Sequence, residues 1–235
     1  MKKNTWCSGE LLVFSLALLL GGCDGAGGGV SDPVTAPKAP RGDKVTEMIE
    51  ELDRICREQT VYIVGPEKGA RLAELVRGRK PSVVVECGTA LGYSGLWIAR
   101  ELERLDKGRL ITIELDADRA RQARATFEKA GLAARVEVRV GDARELVGGI
   151  SEEVDFLFLD CNYANYGPCY AGIEGRLSEG ALVVADNVGI GAAGMKDYLD
   201  RVRSLHESET EWFEIDLPWG KRDAMEVTVF RKAEK

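Results

Sequence analysis

The sequence predicts an α/β fold, with a mostly parallel, seven-stranded sheet that ends in an antiparallel hairpin and helices on both faces. Three observations support this prediction. Five short runs rich in Val, Ile, Leu or Phe have the continuous apolar character of parallel strands buried on both faces. Helical stretches separate these runs. The last two extended runs have no helix-length stretch between them, so they are expected to pair antiparallel.

Two helices are predicted before the first strand. Asp43 is placed to cap one of them, and Pro66 suits the first turn of the other. The five parallel strands are then predicted at Ser82–Cys87, Leu110–Leu115, Arg135–Val140, Val154–Asp160 and Ala181–Asp186. The clearest helix between them covers Asp116–Ala130, with Gly131 as its left-handed stop. The two hairpin strands are predicted at Glu211–Asp216 and Ala224–Arg231.

Residues 1–23 have the three parts of a secretory signal, in which two lysines precede the apolar stretch Leu11–Leu20 and small residues follow. The segment that ends at Cys23 resembles a bacterial lipobox. This resemblance implies that Cys23 is lipidated and becomes the mature N-terminus. An uncleaved signal anchor and a mis-assigned start codon are the alternatives. Residues 24–42, rich in Gly, Pro and Ala, are expected to form a flexible tether, which leaves 43–235 as the folded domain.

Composition and the leader together set expectations for partners and location. The net charge of -7 argues against nucleic acid, which would require a clustered basic surface, so a small molecule is the expected partner. The lipobox implies a lipoprotein anchored at the membrane. The acidic residue after Cys23 resembles an inner-membrane retention signal, so the domain is expected to face the periplasm. A nonfunctional leader would instead leave it in the cytoplasm.

A glycine-containing turn follows the first predicted strand. The segment Glu86–Ser94 has the spacing E-x-G-x-x-x-G-Y-S, which differs from the dinucleotide spacing G-x-G-x-x-G. Ligands bind at the carboxyl ends of the strands in such sheets, and Gly88 allows the chain to bend sharply there. Glu114 ends the next strand, where a carboxylate can accept hydrogen bonds from two ribose hydroxyls. Asp142, after the third strand, is placed to meet an adenine amino group.

Two further strands end in oxygen-bearing side chains. Asp160 ends one strand, and Asp186 with Asn187 ends another. Because the carboxyl ends of parallel strands share one edge of the sheet, these side chains are expected to face the same crevice. Two carboxylates and an amide are hard oxygen ligands, which suit Mg²⁺ or Ca²⁺.

From Val45 to Lys232 these motifs resemble, in order, those of the catechol O-methyltransferase family. Residues 65–69, GPEKG, resemble the family's GDAKG, and Glu86–Ser94 resembles ELGAYCGYS. Glu114 matches the ribose-binding glutamate, and residues 185–188 match ADNV. The resemblance implies a Rossmann-like class I methyltransferase that uses S-adenosylmethionine and Mg²⁺ to methylate one hydroxyl of a catechol-like aromatic diol.

The same resemblance implies roles for individual residues. Those around S-adenosylmethionine would be Val64, Glu86, Gly88, Tyr93, Ser94, Glu114 and Asp160. The Mg²⁺ ligands would be Asp160, Asp186 and Asn187, with Asn187 also near the substrate. The family's late glutamate, which binds the second hydroxyl, falls near Asp216. Tyr62 is a candidate aromatic wall for the substrate, together with Tyr166, Trp219 and Trp212.

The sequence departs from the family at the catalytic base. Tyr163 stands where the family has a lysine three residues beyond the first aspartate, so Tyr163 and Asp160 are the predicted catalytic residues. A tyrosine could relay a proton only if the metal, Lys68 or Lys196 lowered its pKa. Alternatively, a metal-bound diol loses its proton to water. The family's gatekeepers correspond roughly to Thr60 and Gly191, which opens the pocket.

Two other function classes remain. The missing lysine and the export signal would fit a catalytically degenerate protein that binds S-adenosylmethionine or a small ligand at the membrane, because the cofactor is not normally supplied outside the cytoplasm. A nicotinamide oxidoreductase is disfavoured, because it would call for the dinucleotide glycine spacing and would leave Asp186 and Asn187 unexplained.

Overall fold

The computed structural model describes residues 41–232. The predicted export signal, Cys23 and the tether up to residue 40 lie outside the described residues. The helices are α1 Arg41–Gln59, α2 Gly65–Arg79, α3 Tyr93–Arg104, α4 Ala117–Lys129, α5 Ala143–Leu146, α6 Tyr166–Ile173, α7 Val188–Gly191 and α8 Lys196–Leu205. The strands are β1 Val83–Cys87, β2 Arg109–Glu114, β3 Val136–Val140, β4 Val154–Leu159, β5 Leu177–Ala185, β6 Glu207–Leu217 and β7 Gly220–Val229.

All seven strands form one sheet in the order β3-β2-β1-β4-β5-β7-β6. The first five strands are parallel to one another, and β7 pairs antiparallel with both β5 and β6. The chain runs from β1 outward to β3 and then returns to place β4 on the other side of β1. This reversal creates the crevice at which open α/β sheets bind ligands. The predicted fold is therefore confirmed.

Helices cover both faces of the sheet because successive strand residues point to opposite sides. Val84 packs into an apolar core with α1 to α4, whereas Val83 and Val85 pack into a second core with α6 to α8. Full burial of one such side chain contributes roughly 1.5–3 kcal/mol. Among residues 41–232, none of the helices combines the length and the apolar character that crossing a membrane requires.

Several predicted boundaries were wrong by a few residues. Helix α1 begins at Arg41, so Asp43 lies within its first turn instead of capping it, and the helix includes the last two residues of the predicted tether. Strand β5 begins at Leu177, ahead of an irregular register against β4, where Gly180 has a φ of +72°. The hairpin strands β6 and β7 both begin earlier than predicted, and a two-residue turn joins them. Charged residues alternate along the first half of β6, which is typical of a solvent-facing edge strand.

The predicted places of Pro66 at the start of α2 and of Gly131 after α4 are confirmed, and Asp116 proves to be the N-cap of α4. Pro66 lies in the first turn of α2. The Asp116 carboxylate caps α4 by accepting hydrogen bonds from the backbone N–H groups of Asp118 and Arg119, at 2.8 and 3.0 Å. Gly131 follows the helix with a φ of +73°. Helix α4 therefore starts directly after β2, close to the crevice.

Candidate active site

A cavity of about 820 Å³ opens at the carboxyl ends of the parallel strands. Its wall brings together most of the residues that the sequence predicted for the site. These are Tyr62, Val64, Gly88, Tyr93, Ser94, Glu114, Asp142, Asp160, Tyr163, Asp186 and Asn187. Glu86 and Asp216, also predicted for the site, are not on this wall.

Gly88, directly after β1, lies close to the backbone of Asp160, directly after β4. Its φ is +106°, and its N–H donates to the carbonyl of Ile113 at 3.0 Å. A Cβ at this position would lie 2.0 Å from the backbone carbonyl oxygen of Asp160. Only glycine fits both the backbone conformation and this spacing, so the turn brings backbone amides to the floor of the cavity next to Asp160.

Glu114 is a buried carboxylate with two backbone partners. Its oxygens accept from the N–H of Ala90 at 2.8 Å and from the N–H of Asp116 at 3.0 Å. These bonds hold the glycine-containing turn against the end of β2, where Ala90 has a φ of +46°. Because each carboxylate oxygen can accept a second hydrogen bond, Glu114 retains capacity for two neighbouring hydroxyls of a ligand.

The end of β5 carries a buried charge cluster. The Lys68 ammonium, with 1% of its side chain exposed, donates to both oxygens of Asp186 at 2.6 and 2.8 Å. It also donates to Asp223 on β7 at 2.8 Å. Burial acts against the charge on Lys68, but Asp186 and Asp223 outweigh it and raise the pKa of the ammonium, so Lys68 is a cation at neutral pH. Asp186 is thus held on the cavity wall, and Asp223 lies buried behind it.

Asp160 lies beside this cluster, but the environment of its carboxylate differs from that of Asp186 and Asp223. Among residues 41–232, no donor forms a hydrogen bond with its carboxylate; burial and the neighbouring Asp186 raise the pKa of Asp160 well above its usual value. With Asp223 included, three carboxylates face one ammonium, so full ionisation leaves two uncompensated negative charges. The donor set of Asp160, Asp186 and Asn187 therefore fits a divalent cation in both charge and ligand type.

Comparison with known proteins identifies the family. Residues 85–188 match a family model described as a methyltransferase domain. The chain is 33% identical over 201 residues to catechol O-methyltransferase B of Danio rerio, which covers 82% of this chain and 74% of that protein. It is 34% identical over 176 residues to catechol O-methyltransferase of Sus scrofa, which covers 72% of this chain and 92% of that protein. The chain belongs to the catechol O-methyltransferase family.

Solved structures agree with this family and its fold. The O-methyltransferase TomG from Streptomyces achromogenes, solved in complex with S-adenosylmethionine, superposes with a TM-score of 0.70 at 25% identity, covering 79% of this chain and 90% of that one. An O-methyltransferase from Bacillus cereus, solved with S-adenosylhomocysteine, has the same fold with a TM-score of 0.68 at 24% identity, covering 84% of this chain and 94% of that one. The chain is thus a class I, S-adenosylmethionine-dependent O-methyltransferase.

In this methyltransferase, Glu86 lies off the cavity wall, so its predicted place around the cofactor stays a prediction. It is fully buried behind the cavity wall, where Ser94 donates to one of its oxygens at 2.6 Å and Thr112 donates to the other at 2.5 Å. Glu86 is the fourth residue of β1, a parallel strand that is covered on both faces, which explains this position. Glu86 therefore supports Ser94, which does line the cavity.

The burial of Glu86 predicts a pH effect on stability. Burial raises its pKa to about 7, so the folded protein keeps a proton that the unfolded chain loses near pH 4.5. Stability contributed by this proton is present at low pH and is lost as the pH rises toward 7. We expect Glu86→Gln to lose less stability than the wild type between pH 5 and pH 8, by up to about 3 kcal/mol. Urea unfolding at both pH values measures this difference, and equal losses would contradict it.

Asp216 also lies off the cavity wall. Its side chain is 85% exposed and pairs with Lys221 across the hairpin turn. Ile215 and Leu217 on either side of it are buried, because alternate residues of β6 point to opposite faces. Asp216 therefore faces solvent, and its contact with a substrate hydroxyl stays a prediction.

Asp142 and Tyr163 line the cavity, but other contacts limit them. The Asp142 carboxylate caps α5 and is paired with the Arg144 guanidinium, so its adenine contact stays a prediction. Burial, followed by the neighbouring Asp223, Asp160 and Asp186, raises the pKa of Tyr163. At neutral pH its phenol thus keeps its proton, which opposes the predicted role as a base.

The two lysines that the sequence offered as activators of Tyr163 have other partners. Lys68 is held by two aspartates, and the exposed Lys196 pairs with Asp200 on α8. The sequence identified Lys68 only as a possible activator of Tyr163, and it did not identify Asp223. Lys68 lies within the segment that resembles GDAKG, which was a usable signal. Asp223 carries no motif, and only the pairing of β7 with its neighbours brings it to the site.

Proposed function

We propose that this methyltransferase transfers the methyl group of S-adenosylmethionine to one hydroxyl of a catechol-like aromatic diol, with Mg²⁺ held by Asp160, Asp186 and Asn187. The observation that carries the proposal is the cluster of three carboxylates with one ammonium, whose members Asp160 and Asp186 lie on the same cavity wall as Gly88 and Glu114. The names of the related proteins from Danio rerio and Sus scrofa supply the substrate class.

The cofactor would occupy the part of the cavity between β1 and β2. In the proposal, Glu114 accepts hydrogen bonds from the ribose hydroxyls, and Ser94, oriented by Glu86, faces the amino-acid portion together with Val64 and Tyr93. The turn at Gly88 exposes backbone amides along the same wall. These residues fix the cofactor so that its methyl group meets the acceptor, which turns a bimolecular reaction into a positioned one.

The metal ligands would lie at the ends of β4 and β5. A bound divalent cation lowers the pKa of a coordinated hydroxyl, which is about 10 for a free phenol. Asp160 and Asp186 supply anionic oxygens, Asn187 supplies a neutral one, and Lys68 keeps Asp186 in place. The proton released by the diol would leave to water, because Tyr163 holds its own proton and is suited to donate a hydrogen bond.

Two aromatic side chains near the cavity mouth are candidates for the acceptor wall. The rings of Tyr62 and Trp219 meet edge to face, with centroids 5.1 Å apart and planes at 77°. Tyr62 is 70% exposed, and Ile190, which also lines the cavity, is 53% exposed. An aromatic acceptor would cover part of this apolar surface, which supports Tyr62 as a substrate-contacting residue.

The N-terminal segment carries a separate proposal. We propose that Cys23 is lipidated and anchors the methyltransferase domain at a bacterial inner membrane facing the periplasm. Metabolic labelling of the full chain with a fatty-acid analogue tests this location, with Cys23→Ala as the control. Label on both proteins, or on neither, would contradict lipidation at Cys23.

Methyl transfer by the purified full chain tests the proposed activity. We expect labelled product from S-adenosylmethionine and catechol in the presence of Mg²⁺, and a loss of product when a chelator is added. Product that resists chelation would contradict the metal's role. Cofactor binding without transfer to any diol in a panel of catechols would instead favour a degenerate binding protein.

A further inference from the structure

Asp223 on β7 is a fully buried carboxylate with three donors. One oxygen accepts from the Lys68 ammonium at 2.8 Å and from the side-chain nitrogen of Asn187 at 3.0 Å. The other oxygen accepts from the backbone N–H of Ile190 at 3.1 Å. Asp223 thus contacts both the ammonium that holds Asp186 and the turn that carries Asn187.

The hydrogen bond to Asn187 determines which way its amide points. An ionised carboxylate can only accept hydrogen bonds, so the amide must turn its nitrogen toward Asp223. Its oxygen is then the amide atom left for the cavity. Only the oxygen of an asparagine side chain can act as a ligand to a hard divalent cation, so this orientation is the one that metal binding needs.

The backbone of the same turn is held by the same carboxylate. Asn187 has a φ of +57° at the start of α7. At Gly189 a Cβ would lie 2.8 Å from an Asp223 oxygen and 2.8 Å from the backbone nitrogen of Ala224. The turn therefore packs directly on β7 at Asp223, and the carboxylate controls both its backbone and its side chain.

We propose that Asp223 is a positioning residue for the divalent cation, which orients the Asn187 amide with its oxygen toward the cavity and holds Lys68 against Asp186. This inference rests on the proposed metal-dependent function. Hydrogen-bonding partners of metal ligands typically change metal affinity by about 10–100-fold when they are removed. An effect of that size is expected on loss of Asp223.

Mn²⁺ binding tests this role without any methyl transfer, because the EPR signal of free Mn²⁺ disappears when the ion binds. We expect the full-length Asp223→Asn variant to bind Mn²⁺ at least about tenfold more weakly than the wild type. Equal affinity of the two proteins would overturn the inference and leave the metal proposal intact. No Mn²⁺ binding by the wild type would overturn both.

A charge-swap variant distinguishes an effect on the orientation of the side chain at position 187 from general damage to the fold. In Asn187→Asp two carboxylates would face each other, and we expect weak Mn²⁺ binding. In the double variant Asn187→Asp with Asp223→Asn, the new amide donates to the new carboxylate and restores the hydrogen bond between these two positions, while Lys68 loses its bond to residue 223 and keeps those to Asp186. We expect the double variant to bind Mn²⁺ at least about tenfold more tightly than Asn187→Asp. This comparison remains informative even if Asp223→Asn alone fails to fold. If the double variant binds Mn²⁺ no more tightly than Asn187→Asp, the inference is overturned.

Discussion

Replacing Gly88 with alanine is expected to destabilise the fold by about 3 kcal/mol or more, which is a large part of the 5–15 kcal/mol that typically stabilises a domain. The new Cβ would lie 2.0 Å from the carbonyl oxygen of Asp160, and a backbone atom within the sheet cannot move aside cheaply. The positive φ of +106° adds strain. The free energy of unfolding in urea measures the change.

Gly131→Ala is the matched control for this prediction. Gly131 also has a positive φ, of +73°, but a Cβ there would meet no atom within 4 Å. We expect this variant to lose only about 1 kcal/mol, from the backbone conformation alone. Similar losses in the two variants would show that the close approach of β1 and β4 at Gly88 is not what requires glycine.

Asp160→Asn is expected to reduce methyl transfer by about 100-fold or more while leaving the fold as stable as the wild type, or more stable. The activity falls because an anionic metal ligand is lost. The stability does not fall, because burial and Asp186 raise the pKa of Asp160 in the folded protein. In the wild type, the folded protein loses stability as the pH rises through the folded pKa of Asp160, because the buried carboxyl group must then ionise. The neutral asparagine avoids this loss at pH 8 without metal.

Initial rates with saturating Mg²⁺, together with urea unfolding at pH 8 in chelator, measure the two effects. Asp155→Asn, at the opposite end of β4, is the control with the reverse pattern. Asp155 accepts hydrogen bonds from the Ser82 N–H at 2.7 Å and the Ser178 hydroxyl at 2.9 Å, so its replacement should cost about 1 kcal/mol and leave the rate within about twofold. Unchanged activity in Asp160→Asn would contradict the metal assignment.

Local signals in the sequence were enough to predict the sheet and the edge at which the site lies. Apolar runs mark β1, β2, β4 and the second half of β5 because these parallel segments are covered on both faces, whereas the edge strand β3 alternates apolar and charged residues and is partly exposed. Polar residues directly after those runs had to meet at one edge of the sheet, which is why Glu114, Asp160 and Asp186 were correctly placed on one cavity wall. The boundaries of β5 and β6 were less predictable, because polar residues at their starts conceal the pairing.

The direction in which each side chain points was decided only by the tertiary structure. Asp216 faces solvent because of the alternation along β6, and Glu86 is covered from both sides of the sheet. Lys68 reaches partners 118 and 155 residues away along the chain, Asp186 and Asp223. No local pattern encodes such contacts, because they depend on which strands become neighbours. The sequence by itself thus determined which chemical groups are available at the carboxyl edge, and packing and strand register decided which of them enter the cavity and which support it from behind.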